Sequence, residues 1–174
     1  MKNLLLLSAL TCVCIVASGC IMSNPVNDYH TFNNSLDNYS LQYPSDWKLD
    51  SSNTTIYLTK GGAEVKVQSE PIAPNTTLEE YVYSQTPVPN RVYYSSRVAV
   101  GLKQADITFK GLPAKNVTYS WMWVNGGRSP TEKQFLYFIR GDRIYTVSYI
   151  ANYPEFYDFR SAAQNIIDSL TFNT

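Results

Sequence analysis

Apolar residues recur at every second position in run after run between Tyr39 and Ile150, and that period commits the middle of the chain to β-sheet. Tyr39, Leu41 and Tyr43 alternate with Ser40 and Gln42 until Pro44 stops the run. Ile56 and Leu58 lead through Gly61-Gly62 to Val65 and Val67, the pattern of a hairpin. Val98, Val100 and Leu102 alternate, as do Ile107 and Phe109, up to a turn at Gly111-Leu-Pro-Ala114. Val117, Tyr119, Trp121 and Trp123 share one face of a long strand that ends at Asn125-Gly126-Gly127, a strong turn signal. Phe135, Tyr137 and Ile139 take one side of the next strand and Leu136 and Phe138 the other, so this strand is central and covered on both faces. Gly141-Asp142 then turns into a strand over Ile144 to Ile150.

Two stretches break the period. Thr76-Thr-Leu-Glu-Glu80 offers overlapping capping boxes, which start a short helix running to about Gln85. Thr86 to Asn90 holds two prolines and reads as a loop. Phe156, Phe159, Ala163, Ile166, Ile167 and Leu170 form one apolar stripe of a final helix, with Pro154 suited to its first turn. About six or seven antiparallel strands, with one helix among the early strands and one at the end, make an α+β domain. No internal repeat or second domain is visible.

The first twenty residues obey different rules. Lys2 supplies a positive start, and Leu4 to Val16 is an apolar run of 13 residues, too short to cross a hydrocarbon layer of roughly 30 Å. Small residues Ala17, Ser18 and Gly19 precede Cys20, the pattern of a lipoprotein signal peptide, so residues 1–19 are expected to leave. All three cysteines, Cys12, Cys14 and Cys20, lie here. Only Cys20 would survive, which leaves no disulfide framework or thiolate metal site. A diacylglyceryl group on Cys20, carrying chains such as palmitate, gains roughly 0.8 kcal/mol per buried CH₂ and holds firmly where a single chain would not. The expected location is therefore the outer, extracytoplasmic face of the cell membrane.

Residues 20–38 carry little apolar periodicity and are rich in Asn, Asp and Ser, so they read as a lipidated N-terminus and flexible tether, and residues 39–174 as the folded domain. The one histidine, His30, falls in the tether and reads as solvated. With a single His, a Ser-His triad or a His-based zinc site lacks material. The net charge is +0, which gives no basic face for nucleic acid. Asp46, Asp142, Asp158 and Asp168 are scattered without the spacing of a calcium loop, and capping explains Glu79-Glu80. No metal, catalytic residue or cofactor is expected. Arg140 and Arg143 flank a turn and read as solvated. Tyr119, Trp121 and Trp123 are candidates for a sugar- or partner-binding platform, although a core-facing strand needs the same spacing and is the better reading. Five sequons, at Asn33, Asn38, Asn53, Asn75 and Asn116, are candidate N-glycosylation sites.

Several short stretches, in order, resemble the PsbP-like family: Tyr39-Ser-Leu-Gln-Tyr-Pro-Ser-Asp-Trp47, Gly111-Leu-Pro-Ala114, Gly141-Asp-Arg-Ile-Tyr145 and the closing Ile167-Asp-Ser-Leu-Thr-Phe172. The resemblance spans about Tyr39 to Phe172. It implies an antiparallel sheet packed between helices, and a non-enzymatic binding or assembly factor. The plant family member is an extrinsic subunit of the oxygen-evolving photosystem and supports retention of calcium and chloride; other relatives are lipoproteins of non-photosynthetic bacteria and archaea. A tether and lipid here take the place of the plant subunit's docking segment, and no binding residue carries over. The expectation is a non-enzymatic, membrane-anchored module for an envelope protein partner. The alternatives are an envelope-polymer hydrolase working through two carboxylates and a small-ligand carrier.

Overall fold

The computed structural model describes residues 28–86, 97–123 and 130–173, without the side chains of residues 97–100 and 123. The leader, Cys20, the loop from residue 87 and the Asn125-Gly126-Gly127 turn lie outside the described residues. In chain order the elements are β1 (Tyr29–Asn34), β2 (Tyr39–Pro44), β3 (Lys48–Ser51), β4 (Thr55–Lys60), β5 (Ala63–Pro71), α1 (Leu78–Gln85), β6 (Arg97–Phe109), β7 (Leu112–Trp123), β8 (Thr131–Arg140), β9 (Arg143–Asn152), α2 (Glu155–Ser169) and β10 (Thr171–Phe172).

The strands form two antiparallel sheets: a large one in the order β3-β4-β5-β9-β8-β7-β6 and a small one in the order β1-β2-β10. The α+β class read from the sequence is correct, with seven strands in the main sheet. The second sheet was not legible. About a third of the expected tether is in fact a strand: Tyr29–Asn34 pairs with β2 over its whole length, from Tyr29 opposite Pro44 to Asn34 opposite Tyr39. Backbone hydrogen bonds and one side chain, Phe32 against Tyr39, hold it there, and a single apolar residue makes no periodicity. His30 is correspondingly not a free tether residue; its ring lies 5.6 Å from that of Tyr43.

The large sheet is covered on both faces. One face carries Ile56, Leu58, Val65, Val67, Ala114, Leu136, Phe138, Tyr145, Val147 and Tyr149, which pack with β2 and the α2 stripe into the main core. All the expected stripe residues from Phe156 to Leu170 are buried or packed against it. The Tyr149 hydroxyl donates to the Phe156 carbonyl at 2.7 Å and so fastens β9 to the start of α2. The other face carries Val117, Tyr119 and Tyr137, covered by Val82 of α1. β8 lies between β7 and β9, and its two faces feed the two cores, as its doubly apolar sequence requires.

β6 contains an irregularity between Val100 and Lys103, where the register against β7 shifts. The sequence carries its mark: the apolar phase changes from even positions (Val98, Val100, Leu102) to odd ones (Ile107, Phe109). One extra residue in a strand produces that change, and Gly101 supplies the left-handed backbone, at φ 64°. One long strand therefore stands where the alternation alone suggested two runs.

Candidate functional site

β7 and β8 extend beyond the cover that α2 gives them. On the α2-facing side, β8 runs from buried Phe138 and Leu136 to half-buried Gln134 and Glu132. β7 runs from buried Ala114 to half-buried Asn116, Thr118 and Ser120. All of these positions share the parity of the core, yet the outer ones are polar. Together with Lys103 of β6 and Tyr157 and Arg160 of α2, they line an open groove of about 430 Å³. The Ser120 hydroxyl donates to Glu132 Oε2 at 2.6 Å. Gln134 Nε2 donates to Asn116 Oδ1 at 3.5 Å, a long contact. The wall thus offers amides, hydroxyls, two cations and one carboxylate to a polar ligand. No sequence signal singled it out, but a legible one exists: polar residues continuing a strand's core phase past the point where its covering helix begins.

The aromatic platform candidates divide. Tyr119 is 7% exposed and belongs to the core under α1. Its ring stacks on Phe135 at 5.7 Å and 13°, and Phe135 stacks in turn on Tyr137 at 5.8 Å and 7°. Trp121 is half-buried at the margin of that cluster, 6.0 Å from the Tyr119 ring, with the Lys133 ammonium 5.9 Å from its own. The Trp123 side chain is outside the described residues. Tyr119 therefore packs as core, and Trp121 alone of the pair presents an accessible edge. Tyr81 of α1 closes the cluster, with its ring 6.1 Å from Tyr137 and its hydroxyl donating to Glu70 Oε1 at 2.5 Å. Burial, reinforced by the Glu70 carboxylate, pushes the Tyr81 phenol up to about 12.

A second polar cluster lies at the other end of the domain, where the turn between β1 and β2 meets the start of β9. Asn34 Oδ1 accepts the amides of Leu36 and Asp37, both at 3.0 Å, and this local turn swings Asp37 inward. The Asp37 carboxylate is buried, accepts the Ser69 hydroxyl and faces Arg143. Arg143 Nη2 also donates to the Ser69 carbonyl at 3.2 Å. The reading of Arg143 as solvated is corrected: its Nε lies 3.0 Å from the buried Asp37 carboxylate, whereas its turn neighbour Arg140 lies with its guanidinium 4.6 Å from the Phe172 ring centroid. The hollow beside this cluster is shallow and its acid is already satisfied, so it reads as a structural clasp between the sheets.

Of the sequon asparagines, Asn33, Asn38, Asn53 and Asn75 are exposed, whereas Asn116 is half-buried in the groove wall. Among the described residues no three His, Cys, Asp or Glu side chains converge as a metal site. None of the described helices is long and apolar enough to cross a membrane. A notch of mixed lining between β6 and the end of α2, with Ile107, Leu136 and Ile167 beside Asn116, Gln164 and Asp168, has a volume of about 220 Å³, below the roughly 300 Å³ of the smallest usual ligand pockets.

No family model matches the sequence, and no curated protein matches it. Solved structures do match. The cyanobacterial PsbP (CyanoP) of Synechocystis sp. PCC 6803 superposes with a TM-score of 0.61 at 12% identity, over 90% of this chain and 99% of that one. PA94 of Pseudomonas aeruginosa, described as a putative regulator of unknown function, gives 0.55 at 16% identity over 84% and 98%. The Ran-binding protein Mog1p of Saccharomyces cerevisiae gives 0.53 at 8% over 83% and 95%. Likeness at such identities concerns architecture, and it agrees with the topology and helix placement above: the fold is PsbP-like.

Proposed function

We propose that this protein is a non-enzymatic binding module, held on the extracytoplasmic face of the cell membrane by acyl chains on Cys20, which engages an envelope protein through the polar groove between α2 and the outer ends of β7 and β8. The observation that carries this reading is the groove wall, where Asn116, Thr118, Ser120, Glu132 and Gln134 stand in the phase that elsewhere on the same strands is apolar core. A wall of neutral donors and acceptors with Lys103, Arg160 and a single acid suits recognition of a polar surface. It suits a two-carboxylate hydrolase poorly, because Glu132 is the one carboxylate among the groove's lining residues. Anchoring rests on the leader sequence: a positive start, a short apolar run and small residues before Cys20.

The test places a photo-crosslinking side chain at Gln134 in the full-length protein in its own cells. A discrete crosslinked product that disappears with Arg160→Glu, and is not obtained from a probe at Tyr83 on α1, is the expected result. No product, or the same product from both positions, would remove the groove as a binding site. Mass spectrometry of the mature N-terminus checks the anchor separately and should find Cys20 acylated, with Cys20→Ala leaving the precursor uncleaved.

A further inference from the structure

Eight residues, Ile21 to Asp28, separate Cys20 from the first strand. Stretched taut they span about 29 Å, and as a relaxed flexible chain about 15 Å. The thirteen-residue β6 alone extends roughly 43 Å at 3.3 Å per residue. A domain that long, tied by so short a lead, meets the bilayer with the end at which β1 begins.

The strand registers show what else lies at that end. Tyr29 pairs with Pro44 at the close of β2, and just beyond it the Trp47 ring meets Phe159, in the first half of α2, at 6.2 Å. Ser169, at the far end of α2, bonds Gln42 instead, so α2 runs antiparallel to β2 and its N-terminus shares the tether's end. Tyr153 and Tyr157 sit there with their rings 5.8 Å apart. They are 52% and 57% exposed. Met122 is at the same end of β7, one residue past Trp121, whose partner Thr131 pairs with Asn152. Seven large apolar side chains are exposed among the described residues, and four of them (Tyr29, Met122, Tyr153 and Tyr157) gather at this one end. Leu36 and Ile107 lie at the opposite end and Tyr83 on α1.

We infer that the end of the domain bearing Tyr29, Met122, Tyr153 and Tyr157 rests in the interfacial layer of the lipid bilayer, orienting the groove mouth close to the membrane surface. Tyrosines suit that layer because the ring is apolar and the hydroxyl stays wet. Among the described residues charge is not the attraction: Lys60 at this end is paired with Asp46, and the exposed Arg160 is offset on the same helix by Glu155 and Asp158. The inference rests on the acyl anchor at Cys20 proposed above.

The test is hydroxyl-radical footprinting of the native protein in phosphatidylcholine vesicles, compared with the same protein released by lipase hydrolysis of its ester-linked chains. The expected result is a several-fold fall in oxidation of Tyr29, Tyr153 and Tyr157 on vesicles, with Tyr83 unchanged and with little effect of added phosphatidylglycerol or salt. If Cys20 is acylated but Tyr153 and Tyr157 oxidise equally in both states, or Tyr83 is protected with them, the orientation is overturned and the anchor stands. An unmodified Cys20 in the native protein would overturn the anchor and the orientation together.

Discussion

Arg143 Nε lies 3.0 Å from Asp37 Oδ1, and this contact bolts the small sheet to the large one. Asp37 comes from the turn of the β1–β2 hairpin and Arg143 from the first position of β9. The Asp37 side chain is 2% exposed and that of Arg143 24%, so screening by water is weak on the acid's side. Removing one member of a buried pair strands the other charge, at a cost of about 3–5 kcal/mol. Asp37→Ala is therefore expected to lower Tm by roughly 10 °C in a domain of this size. Asp37→Ala combined with Arg143→Met should recover most of that loss, because no charge is then left unpaired. Thermal unfolding of the two single variants and the double variant gives the cycle; a double variant as unstable as the sum of the singles would show that the pair is not coupled.

Buried tyrosines set the alkaline limit. Burial pushes Tyr39 and Tyr149 up to about 12 from the ordinary 10.0, and Tyr137 is raised by the same cause. The folded state keeps protons that the unfolded chain releases above 10. Stability from these groups is thus complete below pH 10 and is lost as pH rises from 10 through 12. Phenolate absorbance followed alongside circular dichroism should show part of the signal appearing only with cooperative loss of the sheet, whereas in denaturant the full signal develops near pH 10.

The short helix α1 depends on its cap. Thr77 Oγ1 accepts the Glu80 amide at 3.2 Å, and Glu80 Oε2 accepts the Thr77 amide at 2.9 Å. Eight residues are too few to hold a helix by propensity alone. Thr77→Ala should cost about 1 kcal/mol, read by chemical denaturation, with faster amide exchange in α1. Those bonds to the Thr77 backbone and side chain hold the Glu80 carboxyl below its ordinary 4.5. Their contribution is present above that value and fades as pH falls below it, so the difference between wild type and Thr77→Ala should shrink in acid.

What the sequence made legible was whatever rests on a repeating apolar phase. The hairpin through Gly61-Gly62, the two-faced β8 and the stripe of α2 each announced themselves, because burying a face imposes a period, and the Thr77–Glu80 box did so because its two partners are three residues apart. β1, β3 and β10 did not, since each contributes a single apolar side chain to the core (Phe32, Leu49 and Phe172) and one residue makes no period. Asp37 and Arg143 are 106 positions apart and meet only once both sheets exist. The groove was legible only as a pattern without a meaning: polar residues stand in the core phase of β7 and β8, and they mark a site only when it is known where α2 stops covering them.

The aromatic residues of β7 give a last contrast, between a side chain that packs and one that presents an edge. Tyr119 lies in a stack with Phe135 and Tyr137, beneath Val82, so truncating it opens a cavity. Tyr119→Ala should cost about 3 kcal/mol, in the range of large core aromatics. Trp121 is half-buried and touches the stack at its margin. Trp121→Ala should cost about 1 kcal/mol, because less of the cavity is closed to water. Urea unfolding of the two variants measures the difference. Equal losses would mean that Trp121 is as much a part of the core as Tyr119, and would leave the strand with no accessible aromatic edge among its described side chains.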